Sequence, residues 1–220
     1  MGQTLTILFG AIIGVGLGIL AKSLINKIDS KCHASIGLLA LVGCFAGLVF
    51  AALITYRFSA ITLQICYAVL CAGLIVQSMI DAYTHQLVRQ ITHAMAISGL
   101  IILSFYSARN STGELILNAS ICACVGILFA VAVNKISHGS LGAGDVRLMA
   151  VLGWHLGFLS YSTAVWALFA SSLLAGVFGV ALIVFGRGSW QRRIAFGPFL
   201  MLGTVIAIFG DEVLPRLLIA

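Results

Sequence analysis

Charged residues are scarce in this chain: they make up 8% of its 220 residues, while 61% are hydrophobic. Soluble domains carry about a quarter charged residues, so the composition excludes a water-soluble fold. In lipid, a spanning segment must satisfy its own backbone hydrogen bonds, which leaves helices or a closed barrel. The apolar runs continue well beyond the roughly 10 alternating residues of a barrel strand, so the sequence predicts helices.

The chain also lacks paired metal-binding cysteines. None of its six cysteines forms a C-x-x-C pair, and most lie inside apolar runs, where cysteine is a small packing residue. The five histidines share no helix face at metal-binding spacing, and wet interfacial positions account for His85, His93 and His138. We therefore expect no metal and no cofactor. The basic residues that give the net charge of +6 lie at helix ends rather than on one face, so we expect membrane lipid and no nucleic acid as a partner.

Eight apolar segments predict an all-α, polytopic transmembrane helical bundle with about eight crossings, organised as one integral membrane domain over residues 1–220. The sixth segment is short for a hydrocarbon core about 30 Å thick. Gly10, Gly14 and Gly18 recur at every fourth position, which predicts close helix packing. The segments are 3–21, 36–56, 61–80, 92–108, 115–134, 147–160, 161–185 and 196–214.

The basic residues predict the orientation, because short loops rich in Lys and Arg stay in the cytoplasm. With eight crossings, nine of the 12 basic residues fall on one side and three on the other, which places both termini outside. The cytoplasmic set is Lys22, Lys27, Lys31, Arg89, Lys135, Arg147, Arg187, Arg192 and Arg193, and the outer set is Arg57, Arg109 and Arg216.

Two of the six carboxylates stand apart from the loops and the end of the chain: Asp81 closes the third apolar run and Asp145 opens the sixth. Both fall on the cytoplasmic side of the predicted topology, where acidic side chains usually face a protein interior or a wet cavity. Two carboxylates a few ångströms apart do not both ionise easily, so such a pair shares a proton and titrates as a unit. One member can then activate water while the other polarises a carbonyl, as in aspartic peptidases.

Asp145 ends a G-x-G-D string whose glycines, Gly142 and Gly144, permit unusual dihedral angles and the close approach of a substrate backbone. Residues 141–153 read L-G-A-G-D-V-R-L-M-A-V-L-G, which resembles the second active-site motif of the type IV prepilin peptidases, M-G-x-G-D-x-K-L. Residues 194–203 read I-A-F-G-P-F-L-M-L-G and are similar to the opening of that family's final span. Asp81, followed by Ile91-Thr92, matches the first aspartate motif, so the resemblance covers about residues 60–215.

The resemblance implies a membrane-embedded aspartic endopeptidase that removes the short basic leader from pilin-like precursors. Asp81 and Asp145 would be catalytic, with Gly142, Gly144 and Arg147 as candidates for binding substrate or forming the active-site loop. It further implies a multi-pass protein of the inner membrane, with its active site facing the cytoplasm.

The chain departs from the family pattern at three places. Val88-Arg89-Gln90 replaces Pro-Asn or Pro-Asp in the first motif, and Ala195 replaces the proline before Phe196. Residues 26–35 hold a single cysteine, Cys32, so the chain resembles the short form without the cysteine-rich cytoplasmic domain. Larger members also methylate the new N-terminus with S-adenosylmethionine, and we expect no methyl transfer here.

Three alternatives remain open at this point. An intramembrane protease of the presenilin or signal-peptide-peptidase type also uses G-x-G-D, but it expects Tyr-Asp and Pro-Ala-Leu where this chain has Ile80-Asp81 and Phe196-Gly197-Pro198. A small transporter would more often carry acids at mid-span and symmetric halves. A membrane scaffold would have no need for the two aspartates.

Overall fold

The computed structural model describes residues 2–30, 32–136, 142–185 and 195–210, and within these ranges it is built from helices joined by short turns. The all-α prediction is confirmed. In chain order the helices are α1 (Gly2–Ile28), α2 (Ile36–Arg57), α3 (Ile61–Thr84), α4 (Arg89–Asn110), α5 (Gly113–Ile136), α6 (Ala143–Leu159), α7 (Tyr161–Val184) and α8 (Gly197–Gly210).

Six of these helices, α1 to α5 and α7, are long and apolar enough to cross a membrane. Large apolar side chains on them point outward, as at Phe45, which is 69% exposed, and this is what a lipid-facing surface requires. Helix α6 has 17 residues and is about 25 Å long at 1.5 Å per residue, so the prediction of a short sixth helix is confirmed. The chain is a multi-pass membrane protein.

Several helices extend past the apolar runs that predicted them. The third run ended at residue 80, whereas α3 continues to Thr84 and so includes Asp81. The first ended at residue 21, whereas α1 continues to Ile28, because Lys22 and Lys27 can lie in a helix while their charged ends reach water. The last run was predicted to end at residue 214, and residues 211–214 lie outside the described ranges.

Contacts divide the chain into two compact units, Met1–Asn110 and Ser111–Ala220. The first contains α1 to α4 and the second α5 to α8. The single membrane domain over residues 1–220 stays a prediction.

In the first unit, α1 and α2 pack backbone against backbone through glycines. A Cβ atom on Gly14 would clash with the carbonyl oxygen of Gly43, and one on Gly47 would clash with the carbonyl oxygen of Gly10. Helix α3 packs against α1, α2 and α4, and its residues from 73 to 81 are all buried. The predicted small-residue packing is confirmed, and this part of α3 is buried in the protein.

In the second unit, α6 packs against α5, α7 and α8. A Cβ atom on Gly153 would lie 2.5 Å from the carbonyl oxygen of Cys122 and 2.8 Å from the Cα atom of Ala123, so α5 and α6 touch through their backbones. Because backbone atoms cannot move aside as side chains do, this contact fixes α6, the helix that carries Asp145.

Candidate active site

Asp81 lies in the last turn of α3 and is 6% exposed. Its carbonyl oxygen accepts a hydrogen bond of 2.9 Å from the N–H of His85, which closes the helix. The sequence placed this carboxylate just after an apolar run, and the structure places it inside the helix that this run forms. A carboxylate enclosed by protein at a helix end is a typical position for a catalytic acid or base.

His85 ends α3 in the left-handed conformation, with a φ of 52°. Glycine usually occupies this cap position, because its lack of a Cβ atom removes the steric penalty. The side chain of His85 is exposed. Its backbone closes α3, and this accounts for its position four residues after Asp81 without a role for the imidazole.

Gln77 lies one helical turn before Asp81 and is 1% exposed. Its side chain reaches across to the segment that follows α3. Nε2 donates to the carbonyl oxygen of Val88 at 3.0 Å and to Oγ1 of Thr92 at 2.8 Å, while Oε1 accepts from the N–H of Val88 at 2.8 Å. The start of α4 is therefore tied to the last turns of α3. Gln77 was not identified as a site residue from the sequence. Its position as an amide inside an apolar run is the signal that could have identified it.

Asp145 is the third residue of α6 and is half-buried. Its Oδ2 accepts a hydrogen bond of 3.3 Å from the N–H of Gly142, and its own N–H donates to the carbonyl oxygen of Gly142 at 3.0 Å. The carboxylate thus satisfies one of the N–H groups that a helix start leaves without an intrahelical partner. A negative charge in this first turn is also favoured by the helix dipole.

The other predicted site residues of the second unit lie around this helix start. Gly142 is exposed and has extended dihedral angles, whereas Gly144 and Arg147 are half-buried in the first turns of α6. The structure thus brings Gly142 directly against Asp145. Arg147 is two positions from Asp145 and leaves the helix on a different face.

Asp81 belongs to the first unit and Asp145 to the second. That the two carboxylates face each other stays a prediction. In each unit the acid lies at a helix end. The N–H of His85 donates to the carbonyl oxygen of Asp81, and the N–H of Gly142 donates to the carboxylate of Asp145.

No group of three or more His, Cys, Asp and Glu residues lies close enough to hold a metal in the parts of the chain that the structure describes. The second unit also contains a cavity of about 220 Å³ among α5, α6, α7 and α8. Its lining includes Met149, Gly153 and Leu200 and carries no charged side chain, so it offers an apolar volume rather than a second reactive centre.

Comparison with known proteins identifies the class. The model of the type IV leader peptidase family matches residues 68–180, just over half of the chain, and this segment contains both Asp81 and Asp145. The chain belongs to that family.

Three curated proteins match, each named prepilin leader peptidase/N-methyltransferase. The protein of Bacillus subtilis is 32% identical over 93 residues, which cover 42% of this chain and 36% of that protein. The protein of Aeromonas salmonicida is 34% identical over 74 residues, which cover 33% of this chain and 24% of that protein. The match therefore spans about a third or less of these relatives. No solved structure matches the chain.

Proposed function

We propose that this protein is an aspartic endopeptidase that cuts the short basic leader from pilin-like precursors, with Asp81 and Asp145 as its catalytic pair. The observation that carries the proposal is their placement. Both acids lie within the segment that matches the type IV leader peptidase family, one in the last turn of α3 and the other in the first turn of α6.

In the proposed reaction, one carboxylate takes a proton from a water molecule, which attacks the scissile carbonyl carbon. The other carboxyl group, protonated beforehand, donates to the carbonyl oxygen. The tetrahedral intermediate then collapses: the first carboxyl group passes the water's proton to the leaving amine, the second takes a proton back from a hydroxyl of the intermediate, the C–N bond breaks, and the pair again holds one proton. This chemistry uses water and two carboxyl groups and needs no metal.

We assign substrate binding to the start of α6. Gly142 is exposed beside Asp145 and has no side chain to keep a peptide backbone away. Gly144 and Arg147 are further candidates for binding substrate, because both lie in the first turns of α6, with Arg147 on a different face from Asp145. The precursor would present its leader there, with its adjoining hydrophobic helix in the lipid.

The site is proposed to face the cytoplasm from the inner membrane. The uneven distribution of the basic residues supports this orientation, since nine of the 12 lie on the side of Asp81 and Asp145 in the predicted topology.

Peptidase activity is proposed without methyl transfer. The relatives carry N-methyltransferase in their names, but the match covers 36% of the Bacillus subtilis protein. The mass of the mature product tests this directly. An unmodified N-terminal residue is expected, and a gain of one methyl group that depends on this chain would contradict it.

The test of the peptidase itself is cleavage of a co-expressed precursor by the wild type, Asp81→Asn and Asp145→Asn, with membrane levels measured for each. Asn keeps the size of Asp but cannot take up or release the catalytic proton, so both variants should leave the precursor uncut. Asp29→Asn is the matched control, because Asp29 follows α1 and lies outside the proposed pair. Cleavage by either active-site variant at normal abundance would exclude the aspartic mechanism.

A further inference from the structure

The amide of Gln77 forms a closed set of hydrogen bonds with the segment that follows Asp81. It bonds both backbone groups of Val88 and the hydroxyl of Thr92, which is itself 2% exposed. Thr92 adds a backbone hydrogen bond of 3.3 Å to the carbonyl oxygen of Val88, in the first turn of α4. Gln77, Val88 and Thr92 are here called the amide clamp.

The bonding partners determine which way the amide points. Val88 offers one N–H and one carbonyl oxygen to Gln77, so the oxygen of the amide must face the N–H and its nitrogen must face the carbonyl. A flipped amide would place donor against donor and acceptor against acceptor. Only a side chain with one donor and one acceptor at this reach can bond both backbone groups of Val88 at once, and the ionised carboxylate of Glu cannot.

The clamp also depends on Val88 having an N–H. Proline has none, so the 2.8 Å bond from Val88 to Oε1 would be impossible with proline at this position. Here a turn that lacks a proline is held instead by hydrogen bonds to a buried amide. A buried amide left without partners is costly, which makes the clamp a strong constraint on the segment between α3 and α4.

We propose that Gln77 is a positioning residue for Asp81: its amide holds the segment after α3 in place and thereby fixes the last turn of α3, on which Asp81 lies. The inference rests on the proposed peptidase function. Gln77 and Asp81 are four positions apart and so lie on the same face of α3, one turn from each other. If the clamp opens, that turn is held by fewer contacts, and small displacements of a catalytic group can lower a rate on the order of 100-fold.

The test compares Gln77→Leu and Gln77→Glu with the wild type for cleavage of a purified precursor, with kcat and KM determined separately. Gln77→Leu removes the three hydrogen bonds of the Gln77 amide and should lower kcat by about 10-fold or more while KM changes little, because substrate binding is assigned to α6. Gln64→Leu is the matched control. Its amide donates to the carbonyl oxygen of Phe58 at 2.6 Å, so it also joins α3 to a turn, but at the other end of the helix. We expect its kcat to equal that of the wild type.

The pH dependence of Gln77→Glu separates positioning from a general loss of structure. At acidic pH the new carboxyl group is protonated and can both donate to the carbonyl oxygen of Val88 and accept from its N–H, as the amide does. At alkaline pH it can only accept. The ratio of Gln77→Glu activity to wild-type activity should therefore fall as pH rises, whereas the ratio for Gln77→Leu should stay constant.

Hydrogen exchange of the Val88 amide supplies a readout that needs no activity. That N–H is bonded to a side chain, so its protection reports the clamp itself. It should exchange at least tenfold faster in Gln77→Leu, with the interior of α4 unchanged.

A wild type that leaves the precursor uncut would overturn the proposed function. A wild type that cuts it, alongside Gln77→Leu with unchanged kcat or unchanged Val88 exchange, would overturn the positioning role alone.

Discussion

The N–H of Gly142 donates a hydrogen bond of 3.3 Å to Oδ2 of Asp145. Asp145 therefore helps to start α6, in addition to supplying the carboxylate that we assign to catalysis. The two roles respond differently to substitution, because capping requires an acceptor oxygen and catalysis requires a group that exchanges a proton.

Replacing Asp145 should separate these roles. Asp145→Asn keeps an acceptor oxygen for Gly142 and loses only the favourable charge at the helix start, so it should be inactive but less stable than the wild type by no more than about 0.3–1 kcal/mol in detergent. Asp145→Ala also removes the acceptor oxygen and should be less stable than Asp145→Asn by about 1 kcal/mol. Equal stability of the two variants would show that this hydrogen bond contributes little to the start of α6.

The contact between α1 and α2 predicts opposite outcomes for two nearby glycines. Gly14→Ala would place a Cβ atom against the carbonyl oxygen of Gly43, which is backbone and cannot turn away. This overpacking should lower stability by about 1–3 kcal/mol. Gly16→Ala meets nothing within 4 Å and should leave stability unchanged or raise it by up to about 1 kcal/mol. Thermal unfolding of the purified variants measures both effects, and equal losses would rule out the backbone contact.

His85 offers a test of whether its imidazole matters. His85→Gly relieves the left-handed cap and should raise the unfolding midpoint, whereas the β-branched His85→Val should lower stability by about 1–2 kcal/mol. Cleavage by His85→Gly should match the wild type, because only the backbone of His85 closes α3. Loss of cleavage in a stable His85→Gly variant would instead assign the imidazole a part in the reaction.

The proposed orientation can be measured with a maleimide that does not cross membranes. In a chain that keeps Cys32 alone, labelling is expected only when the cytoplasmic side is accessible, because Cys32 lies in the turn between α1 and α2. Ser59→Cys in a chain without other cysteines should label from the opposite side, since its exposed position lies between α2 and α3. Labelling of Cys32 from the outer side and of Ser59→Cys from the cytoplasmic side would show that the topology is inverted and that the active site does not face the cytoplasm.

The sequence predicted most of the fold because hydrophobic runs of spanning length have few alternatives in lipid. It predicted the short α6 from a run of 14 residues, and close helix packing at Gly14 from the spacing of Gly10, Gly14 and Gly18. It misplaced the end of α3 by four residues, since the predicted run stopped at the first charged residue. Asp81 is instead part of α3 and buried, and hydropathy along one segment does not show burial.

The site was predictable only in part. Asp81 and Asp145 are conspicuous because carboxylates are rare in this chain, with six in all. Gln77 was missed because its partners lie 11 and 15 residues away, across a turn. A hydrogen bond between a side chain and a distant backbone group leaves no periodic pattern in the sequence.

The amide clamp predicts that residues 77 and 88 change together during evolution. Since Val88 can donate to Gln77 only while it has an N–H, a change to proline at residue 88 would leave Oε1 of Gln77 without this donor and so weaken the selection for an amide at residue 77. Conversely, once residue 77 becomes apolar, proline at residue 88 leaves no N–H to be satisfied. Relatives with proline in this turn should therefore be free to carry apolar residues at the position of Gln77, and the two sites should vary together across the family.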